Sequence, residues 1–128
     1  MTTQDKKAII RHWIQALNDQ NVHIFDDLGS PDQAQATRES IEWAFKTFDG
    51  HHIDIIDMVA EGDKVWVRVA TRGGHSGEWE GIAPTGKQWT NTGVAFYQFT
   101  DGKIVKEELL FDGTDQLKQL GATITPPA

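Results

Sequence analysis

The sequence predicts a single α+β domain with an antiparallel sheet. Three observations carry this. Apolar residues recur at helical spacing from about Thr3 to Asn18 and again from Ser30 to Phe48. From His51 onward the period drops to two. Asp101-Gly102 then joins two alternating runs as a hairpin turn of the kind that needs positive φ.

The first element is a helix from about Thr3 to Asn18, with Ile9, Ile10, Trp13, Ile14 and Leu17 on one face. Thr2 with Asp5 suits its start, because a hydroxyl accepts an orphan backbone N–H there. Asn18 to Ser30 reads as polar and irregular. Ser30-Pro31-Asp32-Gln33 opens a second helix, with Ser30 as cap, Pro31 at the first helical position and Gln33 completing a capping box. Ala34, Ile41, Ala44, Phe45 and Phe48 continue its apolar face, and Asp49-Gly50 ends it. Strands follow over His51–Ala60, Lys64–Gly74, Lys87–Thr100 and Lys103–Phe111. On the first, Ile53, Ile55 and Val59 share a face. On the second, Val65, Val67 and Val69 share one face and Trp66, Arg68, Ala70 and Arg72 the other. Asp115–Leu120 is a short amphipathic stretch ending at Gly121. Residues 1–122 form the domain and 123–128 a tail.

The chain has 128 residues, no cysteine and a net charge of −7. Its 12 Lys and Arg are scattered. Phosphate backbones require clustered cations, so neither nucleic acid nor a membrane surface is an expected partner. No stretch approaches membrane-spanning length, and no apolar run behind the first residues is long enough for a signal peptide. With no cysteine to pair, a cytoplasmic setting is expected. Twelve Trp, Phe and Tyr residues are many for a small domain; they suit a core, a pocket or a subunit interface.

Four segments carry a resemblance to a known family. They are Ala60-Glu61-Gly62-Asp63-Lys64-Val65; Gly74-His75-Ser76-Gly77-Glu78-Trp79-Glu80-Gly81-Ile82-Ala83-Pro84-Thr85-Gly86-Lys87; Phe99-Thr100-Asp101-Gly102-Lys103-Ile104-Val105 followed by Glu107; and Asp112 followed by Gln119-Leu120-Gly121. In this order and spacing the stretch from about Phe48 to Gly121 resembles the SnoaL-like polyketide cyclases of the NTF2-like superfamily. The resemblance implies an NTF2-like (cystatin-like) cone, with N-terminal helices packed on a curved antiparallel sheet that encloses a pocket. Two departures stand out. Gly74 replaces the threonine that usually precedes the histidine. The extra strand that the family places between its opening helices has no room in Phe25–Ser30, which removes part of the pocket wall.

By resemblance, Asp112 stands where characterised cyclases carry a general acid/base aspartate. Among Leu109, Leu110 and Phe111 its carboxyl would be poorly solvated and its pKa raised. The alternative is a cap for the closing helix. His75 is the second catalytic candidate, able to orient a carbonyl or shuttle a proton, or else a loop histidine bonded to backbone. Trp66, Trp79, Trp89, Asn91 and Tyr97 are candidates for a substrate-binding wall, against ordinary packing or an interface. Arg68 and Arg72 are expected to pair with Glu107 or Glu108 across strands, or to bind a carboxylate. His51 and His52 are adjacent in a strand and point apart, so they do not converge on a metal. No phosphate-cradling loop or nucleophile elbow is present.

The resemblance implies an intramolecular aldol-type ring closure on a small apolar or aromatic carbonyl ligand, with neither metal nor organic cofactor, by a homodimer. The alternatives are a non-catalytic ligand-binding or dimeric module, and an isomerase or hydrolase on the same scaffold.

Overall fold

Thr2 starts the first helix, α1 (Thr3–Asp19), with a reciprocal cap. Its hydroxyl accepts from Asp5 N at 3.0 Å, and the Asp5 carboxylate accepts from Thr2 N at 2.8 Å. The structure, a computed structural model, describes residues 1–128. A short helix, α2 (His23–Leu28), follows in the segment expected to be irregular. Six residues carry too little periodicity to reveal a helix; what holds this one is Phe25, fully buried with its ring 4.8 Å from that of Trp13.

Ser30 caps α3 (Pro31–Thr47) by accepting from Gln33 N at 3.3 Å. The Gln33 side chain does not close the expected capping box; it donates to Thr37 Oγ1 at 3.0 Å instead. Between α2 and α3 there is no strand. Gly29 makes one parallel bridge to Ile104, and Ser30 N donates to Ile104 O at 2.9 Å. A β-carbon at Gly29 would lie 3.0 Å from both the Trp13 ring and Phe25 O, so a side chain there would press on both and glycine is favoured.

Four strands form one antiparallel sheet in sequence order: β1 (His52–Glu61), β2 (Lys64–Gly74), β3 (Gln88–Thr100) and β4 (Lys103–Phe111). A last helix, α4 (Gly113–Gln119), follows. The helices pack on one face. Val65, Val67 and Val69 of β2, Ala95, Tyr97 and Phe99 of β3 and Ile104 of β4 meet Ile10, Trp13 and Ile14 of α1 in one core. No helix is long and apolar enough to cross a membrane.

Two irregularities decide which side chains face inward. On β1, the register shifts between Ile55 and Asp57, leaving Ile56 unpartnered. Val59, expected on the same face as Ile53, is therefore turned out and is 61% exposed, while Met58 and Ala60 pack on the core. On β4, Gln98 pairs with Lys106 while Phe99 pairs with Ile104, so Val105 is the extra residue. Beyond it the parity reverses, and Glu107 comes to lie opposite the inward Tyr97.

Candidate functional site

The bulge at Val105 carries an acid into the apolar interior. Glu107 is partly buried, and its carboxyl is held from two helices. Trp13 Nε1 of α1 donates to Oε2 at 2.8 Å, and Thr37 Oγ1 of α3 donates to Oε1 at 3.0 Å. Gln33 donates to the Thr37 hydroxyl, which turns the Thr37 proton toward the carboxylate. Burial raises the Glu107 pKa above the ordinary glutamate value; Tyr97, Trp13 and Thr37 oppose this by stabilising the charge. Tyr97 is fully buried beside this carboxyl, yet its hydroxyl misses hydrogen-bond geometry. Burial first, and the Glu107 charge second, push its pKa well above the ordinary tyrosine value.

Glu107 and Thr37 line a mainly apolar cavity of about 100 Å³, together with Ser40, Ile41, Trp43, Phe45, His51 and Phe111. A second lobe of about 130 Å³, lined by Phe48, Thr71, Trp79, Trp89 and Gln116, shares Trp43, His51 and Phe111 with the first. Sharing these three walls, the two lobes adjoin as a cleft. Burial, and then the neighbouring His52, lower the His51 pKa. His52 itself turns away to Asp54, 3.0 Å distant, so the two histidines diverge as the strand geometry predicts.

The residues expected from sequence fall in different places. Trp79 and Trp89 line the outer lobe, and Trp79 reaches it from a two-residue turn in which Trp79 and Ile82 exchange backbone hydrogen bonds of 3.1 and 2.8 Å. Glu80 and Gly81 at that turn have φ of 50° and 78°. Trp66 lies on the opposite, outer face of the sheet, its ring 4.5 Å from Phe96; it does not line the cleft, because β2 alternates and its inward face belongs to the valines. Asn91 is buried, but its amide donates to Asp112 O at 3.1 Å and to Gln116 Oε1 at 2.9 Å, which fastens α4 to the sheet. Tyr97 sits under Glu107 and lines neither lobe.

Asp112 does not have the desolvated setting expected of it. It is exposed and caps α4, its carboxylate accepting from Asp115 N at 3.0 Å. Its neighbours Phe111 and Gly113 line the outer lobe, whereas Asp112 opens onto a shallow polar depression of about 530 Å³ with Asp54, Arg72, Thr90 and Asp115. That hollow is larger than either lobe, but it is open to water and offers no low-dielectric setting. His75 is fully buried and lines neither lobe. Its Nδ1 accepts from Thr85 N at 3.2 Å and lies 3.0 Å from Thr85 Oγ1, while its backbone bonds Lys87 O and Gly86 N. It pins the base of the Gly77–Lys87 loop. The arginines also correct the expectation: Arg72 pairs with Asp54 at 2.7 Å, Glu108 pairs with Lys106 at 3.0 Å, and Glu107 is turned inward away from both arginines.

Sequence reasoning named Glu107 only in a family motif and as a cross-strand partner for arginine, and His51 only as a residue that does not ligate a metal, and placed neither in the cleft. Plain alternation from the apolar Ile104 points Glu107 outward, and only the bulge reverses this.

The profile of the SnoaL-like polyketide cyclase family matches residues 7–120. The aklanonic acid methyl ester cyclase AcmA of Streptomyces galilaeus is 30% identical over 83 residues, which are 64% of this chain and 58% of that protein. Among solved structures, TsrD from Streptomyces laurentii superposes with a TM-score of 0.86 at 20% identity, covering 96% of this chain and 99% of that one. A SnoaL-like polyketide cyclase from Agrobacterium tumefaciens superposes at 0.80 with 16% identity, covering 94% and 100%. The helix-on-sheet fold is thus shared with solved members, and with a profile match over nearly the whole chain the protein belongs to the SnoaL-like polyketide cyclase family.

Proposed function

We propose that this chain catalyses proton transfer at the carbon next to a carbonyl, in the manner of an aldol-type cyclase, with Glu107 as acid/base. The observation that carries this reading is the Glu107 carboxyl itself, on the wall of a mainly apolar cavity with its pKa raised by burial. A carboxylate of raised pKa takes an α-proton more readily than an ordinary one. The C–H electron pair then enters the carbonyl as an enolate. The enolate carbon attacks a second carbonyl of the same molecule, and the alkoxide so formed takes the proton back from Glu107. Trp13 and Thr37 hold the carboxyl from behind and keep it aimed through the cycle.

Asp112, the position suggested by family resemblance, is the competing assignment. Its exposure and its use as a helix cap argue for Glu107. A ligand-binding module without chemistry shares the cleft but not the proton transfer, and an isomerase would share both. The test is deuterium exchange into the α-carbons of phenylacetone, a small aryl ketone, followed by ¹H NMR. The wild type should accelerate exchange, and Glu107→Gln should lower that acceleration by about 10²-fold or more. Absence of any acceleration would leave the binding module; loss in Asp112→Asn with retention in Glu107→Gln would return the role to Asp112.

We also infer a homodimer on the outer sheet face. Val59, Trp66, Val94 and Leu110 are exposed there, around the Trp66–Phe96 ring pair.

A further inference from the structure

His51 lies in the turn between α3 and β1 and is enclosed by rings. Its own ring is 5.7 Å from that of Phe45, 6.5 Å from Phe48 and 6.0 Å from Trp89. It lines both lobes of the cleft and so stands at their junction. Of the histidines near it, His52 is partnered by Asp54, and His75 bonds Thr85 through Nδ1 while its buried Nε2 has no partner. His51 has none; no protein group hydrogen-bonds to its ring, and only burial and the charge of His52 act on it. Its ring is half-buried and its nitrogens keep some contact with solvent, unlike the enclosed His75 Nε2, so they are open to water or to a ligand entering the cleft.

We propose that His51 is the polar anchor for the ligand of this cleft, and that the ligand is a flat molecule of one ring with a short arm bearing a carbonyl or hydroxyl oxygen. The geometry supports both halves. The imidazole offers one donor and one acceptor when neutral, and its lowered pKa keeps it so. Glu107 and His51 both line the inner lobe, so a ligand whose oxygen bonds His51 shares that lobe with the Glu107 carboxyl. The aromatic walls at Phe48, Trp79 and Trp89 suit a flat ring. The lobes, at about 100 and 130 Å³, fall below the roughly 300 Å³ at which pockets for drug-sized ligands begin. A fused multi-ring polyketide exceeds this space; a single ring fits it.

This inference rests on the cleft being the ligand site, as proposed above, and not on Glu107 being the base. It is tested by binding alone, with phenylacetone and its oxygen-free counterpart isobutylbenzene as probes. Wild-type protein should bind phenylacetone about tenfold tighter than isobutylbenzene, the difference one hydrogen bond supplies. Phenylacetone should shift the ring ¹⁵N resonances of His51. In His51→Phe the preference should vanish while isobutylbenzene still binds; His51→Gln, which keeps a donor and an acceptor, should retain part of it. Should His51→Phe fail to fold, the wild-type ¹⁵N shifts and His51→Gln decide. Equal affinities in the wild type, an unmoved His51 ring, or a preference that survives His51→Phe would overturn the assignment. So would tight binding of a fused tetracyclic ketone with the lobes unchanged. Preferential binding of phenylacetone without catalysed α-exchange would sustain His51 as anchor and defeat only the role of Glu107.

Discussion

The indole N–H of Trp13 donates to Oε2 of Glu107 at 2.8 Å, joining the first helix to the last strand across 94 positions of sequence. Trp13 is fully buried, and its ring also packs on Phe25. Trp13→Phe keeps most of that packing but removes the donor from a carboxylate already short of water. The loss should be about 1–3 kcal/mol at pH 8, and smaller at pH 4, where Glu107 is protonated and the bond matters less. The Glu107 pKa should rise further. Denaturant titrations at the two pH values, with ¹³C titration of the carboxyl, check this; an equal loss at both would show that only packing was removed.

The raised Glu107 pKa has a definite consequence for stability. Between the ordinary value of 4.5 and the higher folded value, the folded state keeps a proton that the unfolded state releases. Stability from this group is therefore full below 4.5 and falls as pH rises through that window. His51 acts with the opposite sign. Its pKa is lowered from 6.5, so its contribution is full above 6.5 and is lost as pH falls toward the folded value. Glu107→Gln should remove the first slope and leave the second. Urea midpoints across pH 4 to 8 should then fall more steeply toward acid in the variant than in the wild type; superimposable profiles would refute the Glu107 shift.

Asp112 as a helix cap makes its own forecast. Asp112→Ala should cost about 1 kcal/mol, and Asp112→Asn close to nothing, since asparagine caps equally well. Thermal unfolding of the two variants measures this. A stabilising Asp112→Ala would point instead to a strained acid.

His75→Ala should destabilise the protein by about 1–3 kcal/mol, because a fully buried ring is removed and the exposed Thr85 amide loses its acceptor. Hydrogen exchange at Thr85 should quicken, while α-exchange per folded molecule stays near wild type. A large loss of exchange activity in the folded variant would restore His75 to a catalytic role.

The outer-face dimer predicts a mass of two chains by light scattering at micromolar concentration, and a folded monomer for Val94→Asp. Val94 is at the middle of that face, opposite Leu110, and a charge there is tolerated by an exposed strand but not by an apolar interface. A wild-type monomer would refute the interface.

The sequence by itself determined the fold and its elements, except the short helix α2. Helical spacing over Ile10, Trp13, Ile14 and Leu17, alternation over Val65, Val67 and Val69, and the Asp101-Gly102 turn are local features, set by backbone geometry within a few residues. The motifs from Ala60 to Gly121 carried the family for the same reason, since turns and caps leave fixed marks in the chain. Only the tertiary structure decided the site. Two bulges, at Ile56 and Val105, reverse side-chain parity, and no local pattern announces either. One of them turns Glu107 inward, where Trp13 and Thr37 meet it from helices remote in sequence. The same distance in sequence hides why Asp112 faces water and why His51 stays without a partner. Burial and hydrogen bonding at those positions are properties of the assembled layers, and a pKa follows from what surrounds a group rather than from its neighbours along the chain.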